Sequence, residues 1–256
     1  EKISLTKEDC VKKDKMDNAL QGGRLVKYSK DEILFSHGDW MNGEKAQDKE
    51  SIFGKIIKFN IKDNTYKIIS YGHRNPQGLL YLKDANLVFE TEHGPIGGDE
   101  INLIDLNDNN IEKNYGWPIA SYGVGEQRSA KTFTSTSKKY KSHDGFIEPI
   151  KYYVPSIGIS EIIRVSPTFF EKNSENYDFF VSSLGTKISE GDMSLHHIEI
   201  DQKSFKILNN NIIPIQERIR DVIYHKKSES LILFIESDRM FKGGPSIAIF
   251  KFNKVN

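Results

Sequence analysis

Residues 23–36 read Gly-Arg-Leu-Val-Lys-Tyr-Ser-Lys-Asp-Glu-Ile-Leu-Phe-Ser, with an apolar-rich segment on either side of a Ser-Lys-Asp turn. This arrangement predicts a β-hairpin. A second hairpin is predicted where 56–61 and 66–69 flank an Asp-Asn turn. Further strands of the same β-branched and aromatic character are predicted at 87–92, 161–165, 179–182, 197–200, 222–224, 231–235 and 247–252.

Many short strands at roughly 8–12-residue spacing predict an all-β sandwich, barrel or propeller. Polar loops follow several of these strands, at 36–39, 90–94, 182–185 and 235–238. Loops that recur after strands of similar length favour a β-propeller, in which every blade feeds one central face. We therefore expect one β-propeller domain over residues 1–256, with a polar surface insertion at 123–145 and one weakly helical stretch at 43–52.

Composition excludes several classes of protein. The 256 residues carry 36 Lys and Arg against 36 Asp and Glu, so charge gives no reason to expect nucleic acid as a partner. The longest apolar run, 231–235, is far shorter than the ~20 residues of a membrane-spanning helix. The single cysteine, Cys10, excludes an intramolecular disulfide. The chain begins with Glu1 and shows no signal peptide, which predicts a processed, trimmed or partial product.

Arginine is scarce in this lysine-rich chain, with seven arginines among 36 basic residues. Arg218 and Arg220 are two residues apart in a predicted strand, so their side chains share one face. Planar guanidinium groups bind carboxylates well. The pair therefore indicates either a carboxylate-bearing ligand or structural pairing with a neighbouring acidic residue.

The segment 92–100, Glu-His-Gly-Pro-Ile-Gly-Gly-Asp-Glu, is dense in glycine and in oxygen donors. Such a segment suits Ca²⁺, which takes several flexible oxygen ligands including backbone carbonyls, and it equally suits a tight turn between strands. The seven histidines show no zinc-binding spacing. The chain also lacks the nucleophile elbow of serine hydrolases and the glycine fingerprint of nicotinamide dehydrogenases.

Several segments occur in an order that resembles one family. They are 23–26 (Gly-Arg-Leu-Val), 54–56 (Gly-Lys-Ile), 71–79 (Tyr-Gly-His-Arg-Asn-Pro-Gln-Gly-Leu), 92–104 (Glu-His-Gly-Pro to Ile), 114–118 (Asn-Tyr-Gly-Trp-Pro) and 218–221 (Arg-Ile-Arg-Asp). The chain is similar, from about residue 20 onward, to the soluble quinoprotein glucose/sorbosone dehydrogenases, also called PQQ-dependent aldose sugar dehydrogenases.

The resemblance implies a six-bladed β-propeller that binds pyrroloquinoline quinone (PQQ) and Ca²⁺ and oxidises the C1 hydroxyl of an aldose. The cofactor would carry the redox chemistry while the protein orients it. The implied partners are a small sugar substrate and an external electron acceptor, and the implied location is the periplasm or the exterior of the cell. A catalytically impaired propeller that binds a sugar, a glycan or a protein is the alternative.

The resemblance also implies roles for individual residues. The cofactor-binding roles fall on Arg74, Asn75, Arg218 and Arg220. Arg74 would in addition act catalytically by polarising the quinone carbonyl. The calcium-binding roles fall on Gly94 and Pro95 for the catalytic ion and on Glu100 and Tyr115 for a structural ion, in each case through backbone carbonyls.

Two departures weaken the resemblance. The family's general base is a histidine four residues before the arginine of Gly-Arg-Leu, and here this position is Leu20. The supporting acid is present as Asp39, so His37, two residues earlier and able to share its strand face, is a candidate for a relocated base. A cofactor-contacting lysine is expected where Gly185 stands, and Lys187 is its possible substitute.

Length is the third departure, because only about twenty residues precede the Gly-Arg-Leu strand. We expect roughly four of the six blades, with the N-terminal blades on a missing part of the chain, on a partner, or replaced by an unusual closure. An open propeller would expose sheet edges.

Overall fold

The computed structural model describes residues 20–95, 97–108, 112–123, 139–140, 142–170, 176–185, 187–236 and 246–251. The chain divides into two compact units, Glu1–Val154 and Pro155–Asn256, each with its own sheets. Most of the predicted insertion at 123–145 lies outside the described residues. No helix among the described residues combines the length and the apolarity needed to cross a bilayer.

The first unit contains two four-stranded antiparallel sheets, in the orders β1-β2-β3-β4 and β10-β7-β6-β5, and a parallel β8-β9 pair. Its elements are β1 (Gly22–Lys27), β2 (Glu32–His37), α1 (Gly43–Gln47), β3 (Lys55–Asn60), β4 (Thr65–Tyr71), β5 (Pro76–Leu82), β6 (Leu87–Glu92), β7 (Asp99–Asp105), β8 (Ala120–Ser121), β9 (Lys139–Tyr140) and β10 (Lys151–Tyr153).

The second unit contains a four-stranded sheet, β11-β12-β13-β14, and a three-stranded sheet, β15-β16-β17. The strands are β11 (Ile159–Arg164), β12 (Tyr177–Ser183), β13 (Ser194–Ile200), β14 (Ile207–Pro214), β15 (Ile219–His225), β16 (Ser230–Ile235) and β17 (Ser246–Phe250). Short 3₁₀ turns lie at Pro167–Phe170, Ile188–Glu190 and Lys226–Ser228. Sequential antiparallel strands of this kind form a propeller blade, and the four large sheets match the roughly four blades expected.

Both predicted hairpins are confirmed, as the pairs β1–β2 and β3–β4. The predicted helical stretch at 43–52 is helical only over Gly43–Gln47. Strands β5, β7 and β14 are absent from the predictions, because Pro76 and Gly78 open β5, Asp99 and Glu100 open β7, and asparagines fill the middle of β14. These residue types are depleted in strands.

Each unit has its own apolar core between its sheets. In the first unit, the core joins strands of both four-stranded sheets through Leu34, Ile56, Leu79, Val88, Ile104 and Tyr115. In the second unit, it joins the four-stranded and three-stranded sheets through Val165, Phe169, Phe180, Leu195, Ile219, Val222, Leu231, Leu233 and Ile235. Burial of these side chains holds the two sheets of each unit together. Polar groups are concentrated in the loops between strands.

Two isoleucines on neighbouring strands provide a matched test of which face of the four-stranded sheet in the second unit is buried. Ile198 in β13 is fully buried, whereas Ile212 in β14 is 48% exposed. We expect Ile198→Ala to lower the free energy of unfolding by about 2–5 kcal/mol, because it opens a cavity. Ile212→Ala should change it by less than about 1 kcal/mol. Denaturant titration measures both values, and equal losses would contradict the assigned faces of these strands.

Candidate functional site

Three loops of the first unit meet around Asp39, Arg74 and Trp117. The backbone N–H of Asp39 donates to the Arg74 carbonyl at 2.8 Å, and the Trp117 indole Nε1 donates to Asp39 Oδ2 at 2.7 Å. The Arg74 guanidinium carbon lies 5.3 Å from the centre of the Trp117 ring. The loop after β2, the loop after β4 and the loop containing the Gly-Trp-Pro segment are thus tied together by buried polar contacts.

Asp39 is 1% exposed, so its carboxylate is removed from water. Burial raises the pKa of Asp39 to about 6, against the opposing effects of the Arg74 charge and of hydrogen bonds from Trp117 and Met41. The Met41 backbone N–H donates to Asp39 Oδ1 at 2.9 Å. Both carboxylate oxygens are therefore engaged within the protein.

Arg74 is 3% exposed and its guanidinium points into the loop between β6 and β7. Its Nη1 donates to the carbonyl of His93 at 2.9 Å and to that of Gly94 at 2.6 Å. Burial lowers the pKa of Arg74, and the nearby charges of Asp39, Glu92 and Asp99 act in the opposite direction. The group remains a buried cation next to backbone oxygens.

Asn75, the neighbour of Arg74, is held through its side-chain oxygen. Asn75 Oδ1 accepts from the Gly22 backbone N–H at 3.2 Å and from Gln77 Nε2 at 2.9 Å. These bonds link the start of β1 to the start of β5, so the amide is positioned by two strands.

His37 has aromatic surroundings. Its ring lies 5.2 Å from that of Phe53, 5.6 Å from that of Phe35 and 5.9 Å from that of Trp40, centre to centre. Burial, together with the charge of Lys55, lowers the pKa of His37 to about 4, and a hydrogen bond with the Gly38 backbone acts in the opposite direction. Strand β2 ends at His37, so the strand alternation that would place it on the same side as Asp39 does not extend to Asp39.

The loop from Glu92 to Asp99 turns tightly enough to require glycine. A Cβ added at Gly94 would lie 2.1 Å from the carbonyl oxygen of Gly98 and 2.6 Å from that of Gly97. Backbone oxygens therefore crowd beside Gly94, next to Pro95. The other two residues with expected calcium roles, Glu100 and Tyr115, are buried in the same unit.

Arg218 and Arg220 share one acidic partner in the second unit. Arg218 Nη2 lies 3.0 Å from Glu236 Oε2, and Arg220 Nη2 lies 2.8 Å from Glu236 Oε1. Arg218 Nη1 also donates to the Leu184 carbonyl. Burial alone would raise the pKa of Glu236, but its hydrogen bonds and charge pairing with Arg220 and then Arg218 outweigh burial and lower it. The two guanidinium groups thus form ion pairs with the same carboxylate.

Comparison with known proteins identifies the family. The family model described as Glucose / Sorbosone dehydrogenase matches residues 5–241. The chain belongs to this family. It is 30% identical over 226 residues to the uncharacterized protein slr1608 of Synechocystis sp. (strain ATCC 27184 / PCC 6803 / Kazusa), covering 78% of this chain and 50% of that protein.

Two further relatives carry descriptive names. The chain is 32% identical over 152 residues to the aldose sugar dehydrogenase YliI of Escherichia coli (strain K12), covering 54% of this chain and 38% of that protein. The PQQ-bound aldose sugar dehydrogenase from Streptomyces coelicolor superposes with a TM-score of 0.63 at 20% identity, over 90% of this chain and 61% of that one. The β-propeller class is thereby confirmed, and the chain spans half or less of the length of both curated relatives.

Membership in the glucose/sorbosone dehydrogenase family makes the surroundings of Leu20 informative. The Leu20 carbonyl accepts from the Trp40 backbone N–H at 3.1 Å, and its side chain is a hydrocarbon that can accept no proton. Asp39, the acid expected to support a histidine at that position, instead accepts the hydrogen bond from Trp117. The indole thus occupies one oxygen of this carboxylate.

The second departure from the family has a steric basis. A Cβ at Gly185 would lie 2.0 Å from Asp192 Oδ2, so a lysine at 185 would require the Asp192 side chain to shift. Lys187 donates its backbone N–H to the same oxygen at 2.7 Å. The Lys187 ammonium is exposed and pairs with Glu190 at 3.2 Å.

The expected site residues fall into two groups. Asp39, Arg74 and Gly94 are linked by contacts in the first unit, whereas Arg218 and Arg220 meet in the second. The predictions missed three contact partners, which are Trp117, Asp192 and Glu236. Glu236 lies in the polar loop predicted at 235–238, after the strand 231–235. Neither its spacing nor its residue type indicates which arginines it pairs with.

The bond between Trp117 and Asp39 can be tested through its pH dependence. The folded-state pKa of Asp39, about 6, lies above the ordinary value of about 3.9 for an unfolded chain, so its contribution to stability decreases as pH rises through this window. Trp117→Phe removes a donor to the ionised carboxylate. We expect it to lower the free energy of unfolding by about 1–3 kcal/mol at pH 7.5 and by clearly less at pH 5.

Trp40→Phe is the matched control, because Trp40 Nε1 is buried without a hydrogen-bond partner among the described residues. Denaturant titrations at the two pH values measure both variants. A loss for Trp117→Phe that is the same at pH 5 and pH 7.5 would show that its bond to ionised Asp39 is not the source of stability.

Proposed function

We propose that the protein containing this chain is a PQQ- and Ca²⁺-dependent dehydrogenase that oxidises an aldose at its C1 hydroxyl. Family membership supports the reaction class. The pairing of Arg218 and Arg220 with Glu236 is the structural alternative named in the sequence analysis. What supports a cofactor carboxylate at this place is that both guanidinium groups converge on a single carboxylate. PQQ bears several carboxylates, and a guanidinium pair with this geometry suits such a ligand.

The donor set of the second unit fits PQQ in its chemistry. The side chains of Arg218 and Arg220 are 24% and 44% exposed, so a ligand can reach them. Glu236 occupies the position in which a ligand carboxylate would pair with the two arginines. The cofactor would therefore either share the arginines with Glu236 or displace Glu236 from them. The family resemblance gives a cofactor-binding role to Arg74 and Asn75 as well.

The loop oxygens beside Gly94 fit Ca²⁺, which accepts neutral backbone carbonyls in flexible geometry. Gly94 and Pro95 would hold the catalytic ion, and Glu100 and Tyr115 the structural one. The Gly94 carbonyl already receives a hydrogen bond from Arg74 at 2.6 Å, and a carbonyl oxygen has a second lone pair for the ion.

When bound, PQQ supplies a hydride acceptor, and electrons then pass to an external acceptor. Residues of the chain would stabilise charge, position the ligand and accept the proton. Arg74, a buried cation, would stabilise negative charge developing on the bound ligand. Asp39 holds the Trp117 indole beside Arg74 and so fixes one wall of the site. His37 would act as the relocated base, with burial keeping its imidazole neutral.

A second candidate function is favoured by Leu20. With a hydrocarbon at the position of the general base, the protein would be a catalytically impaired propeller that binds a sugar, a glycan or a protein. In either case we propose a location in the periplasm or outside the cell, as the family resemblance implies.

Replacing Leu20 discriminates between the two functions. Loss of a general base typically reduces a rate by ~10²–10⁴, so Leu20→His should raise kcat by a comparable factor if the rest of the site is functional. The measurement is dye-linked glucose oxidation by the full-length protein after reconstitution with PQQ and Ca²⁺. His37→Ala in the starting protein should abolish the residual rate if His37 is the relocated base.

Leu25→His is the control, because Leu25 is an exposed residue of β1 and a histidine there adds no base to the site. Absence of turnover in both the starting protein and Leu20→His, together with absence of bound cofactor absorbance, would overturn the dehydrogenase proposal. Sugar binding without turnover would favour the binding module.

Glu236 gives a second test, which follows cofactor binding rather than turnover. If Glu236 competes for the arginines, Glu236→Gln should tighten PQQ binding by about tenfold, since it releases charge-assisted hydrogen bonds. Titration of PQQ into the full-length protein, followed by absorbance, measures this. Glu217→Gln removes the same charge from an exposed neighbour of Arg218 and serves as control. Weaker binding by Glu236→Gln would mean that Glu236 positions the arginines instead.

A further inference from the structure

A group of polar side chains is buried on one face of the sheet formed by β5, β6, β7 and β10. Glu90 and Glu92 are two residues apart in β6, so they share a face, and they lie opposite Asn102 and Glu100 in β7. His73, from the loop after β4, contacts the same group. Exposure is 0% for His73, Glu90 and Asn102 and 4% for Glu92. We call His73, Glu90, Glu92 and Asn102 the Glu90 cluster.

The ligand atoms of the Glu90 cluster lie close enough together to contact a single ion. One ligand atom from each of His73, Glu90 and Glu92 lies within 4.8 Å of the others. His73 Nδ1 is 3.2 Å from Glu92 Oε1 and 3.8 Å from Glu90 Oε2. Ligand atoms at about 2.0–2.2 Å from a tetrahedral zinc ion lie roughly 3.3–3.6 Å from one another.

Two buried oxygens of the cluster lack hydrogen bonds. Among the described residues, Glu90 Oε1 and Asn102 Oδ1 have no hydrogen-bond partner. The Asn102 amide nitrogen, with two hydrogens, faces three carboxylates, at 3.1 Å from Glu90, 3.0 Å from Glu92 and 3.4 Å from Glu100. Rotation of this amide by 180° would turn Asn102 Oδ1 toward the same point. Buried carboxylates in this number require compensating positive charge.

Contacts with neighbouring groups fix the orientation of the side chains in the Glu90 cluster. His73 Nε2 lies 2.8 Å from Ser70 Oγ, which orients the ring and leaves Nδ1 toward the glutamates. Glu92 Oε2 accepts from the Arg74 backbone N–H at 2.6 Å, so Glu92 Oε1 is the oxygen that faces His73. The Tyr115 ring stacks on His73 at 4.7 Å and closes one side.

We propose that His73 Nδ1, Glu90, Glu92 and Asn102 Oδ1 bind one divalent transition-metal cation that stabilises the first unit. The imidazole nitrogen distinguishes this site from the sites proposed for Ca²⁺, which takes oxygen ligands. A mixed nitrogen and carboxylate set suits zinc or manganese. The site uses side chains inside the sheet face, whereas the proposed calcium ligands are backbone carbonyls.

The test measures metal binding directly. Full-length protein is stripped with chelator, returned to buffer with constant Ca²⁺, and titrated with ZnCl₂ and with MnCl₂ by calorimetry. We expect one ion per chain, confirmed by elemental analysis. Glu90→Gln and His73→Gln should each weaken binding by at least ~100-fold, since even loss of an outer-shell partner costs 10–100-fold.

His197→Gln is the matched control, because His197 is also a buried histidine, 2.7 Å from the carboxylate of Asp178, in the second unit. It should leave binding unchanged. Thermal unfolding gives a readout independent of affinity. Added zinc or manganese should raise the Tm of the starting protein but not that of Glu90→Gln, whose Tm in the metal-free state should equal or exceed that of the starting protein.

Three outcomes would overturn the proposal. They are binding of neither ion, retention of the ion by Glu90→Gln and His73→Gln, or a requirement for Ca²⁺ alone. Proper folding of the variants is verified by their cooperative unfolding transitions, so that loss of the ion can be assigned to the ligand.

Discussion

Buried charge is the constraint on which the first unit depends. Asp39 and Arg74 are both nearly inaccessible to water, and a buried charge is stable only when other groups satisfy it. The satisfying groups come from different loops, and many are backbone atoms. The carbonyl of Arg74 accepts from Asp39, while the Arg74 guanidinium donates to the turn at His93 and Gly94. Satisfying the charges therefore fixes the relative positions of the loops that would receive cofactor and metal.

Strand positions could be predicted from the sequence where apolar and β-branched residues dominate, as in β2, β3 and β16. They could not be predicted where polar residues are buried, as in β7, because local pattern carries no information on which distant group will satisfy a buried Asp99 or Glu100. The same limit applies to the site. The family motifs identified Asp39 and Arg74 as site residues. The hydrogen bond from Trp117 to Asp39 could not be predicted in this way, because it joins residues 78 positions apart and no local sequence pattern indicates it.

The two units carry different members of the donor set named in the proposed function. The first holds a buried guanidinium beside backbone oxygens, and the second holds a more accessible guanidinium pair around Glu236. The arginines differ in accessibility, since the Arg220 side chain is 44% exposed whereas Arg74 is 3% exposed. Leu20 stands where the family resemblance leads us to expect a histidine, and none of these electrostatic features involves its side chain. In the proposed function, ligand binding would therefore not depend on the group that accepts the proton.

The close approach of Gly185 to Asp192 makes these two positions interdependent. With Asp192 Oδ2 only 2.0 Å from the place of a Cβ, a side chain at 185 requires the Asp192 carboxylate to move or to be replaced. Asp192 also accepts a hydrogen bond from the backbone N–H of Lys187, so removal of the Asp192 carboxylate would cost this hydrogen bond as well. Substitutions at 185 and 192 are therefore expected to be non-additive, because a side chain at 185 costs less stability once the side chain at 192 has been shortened.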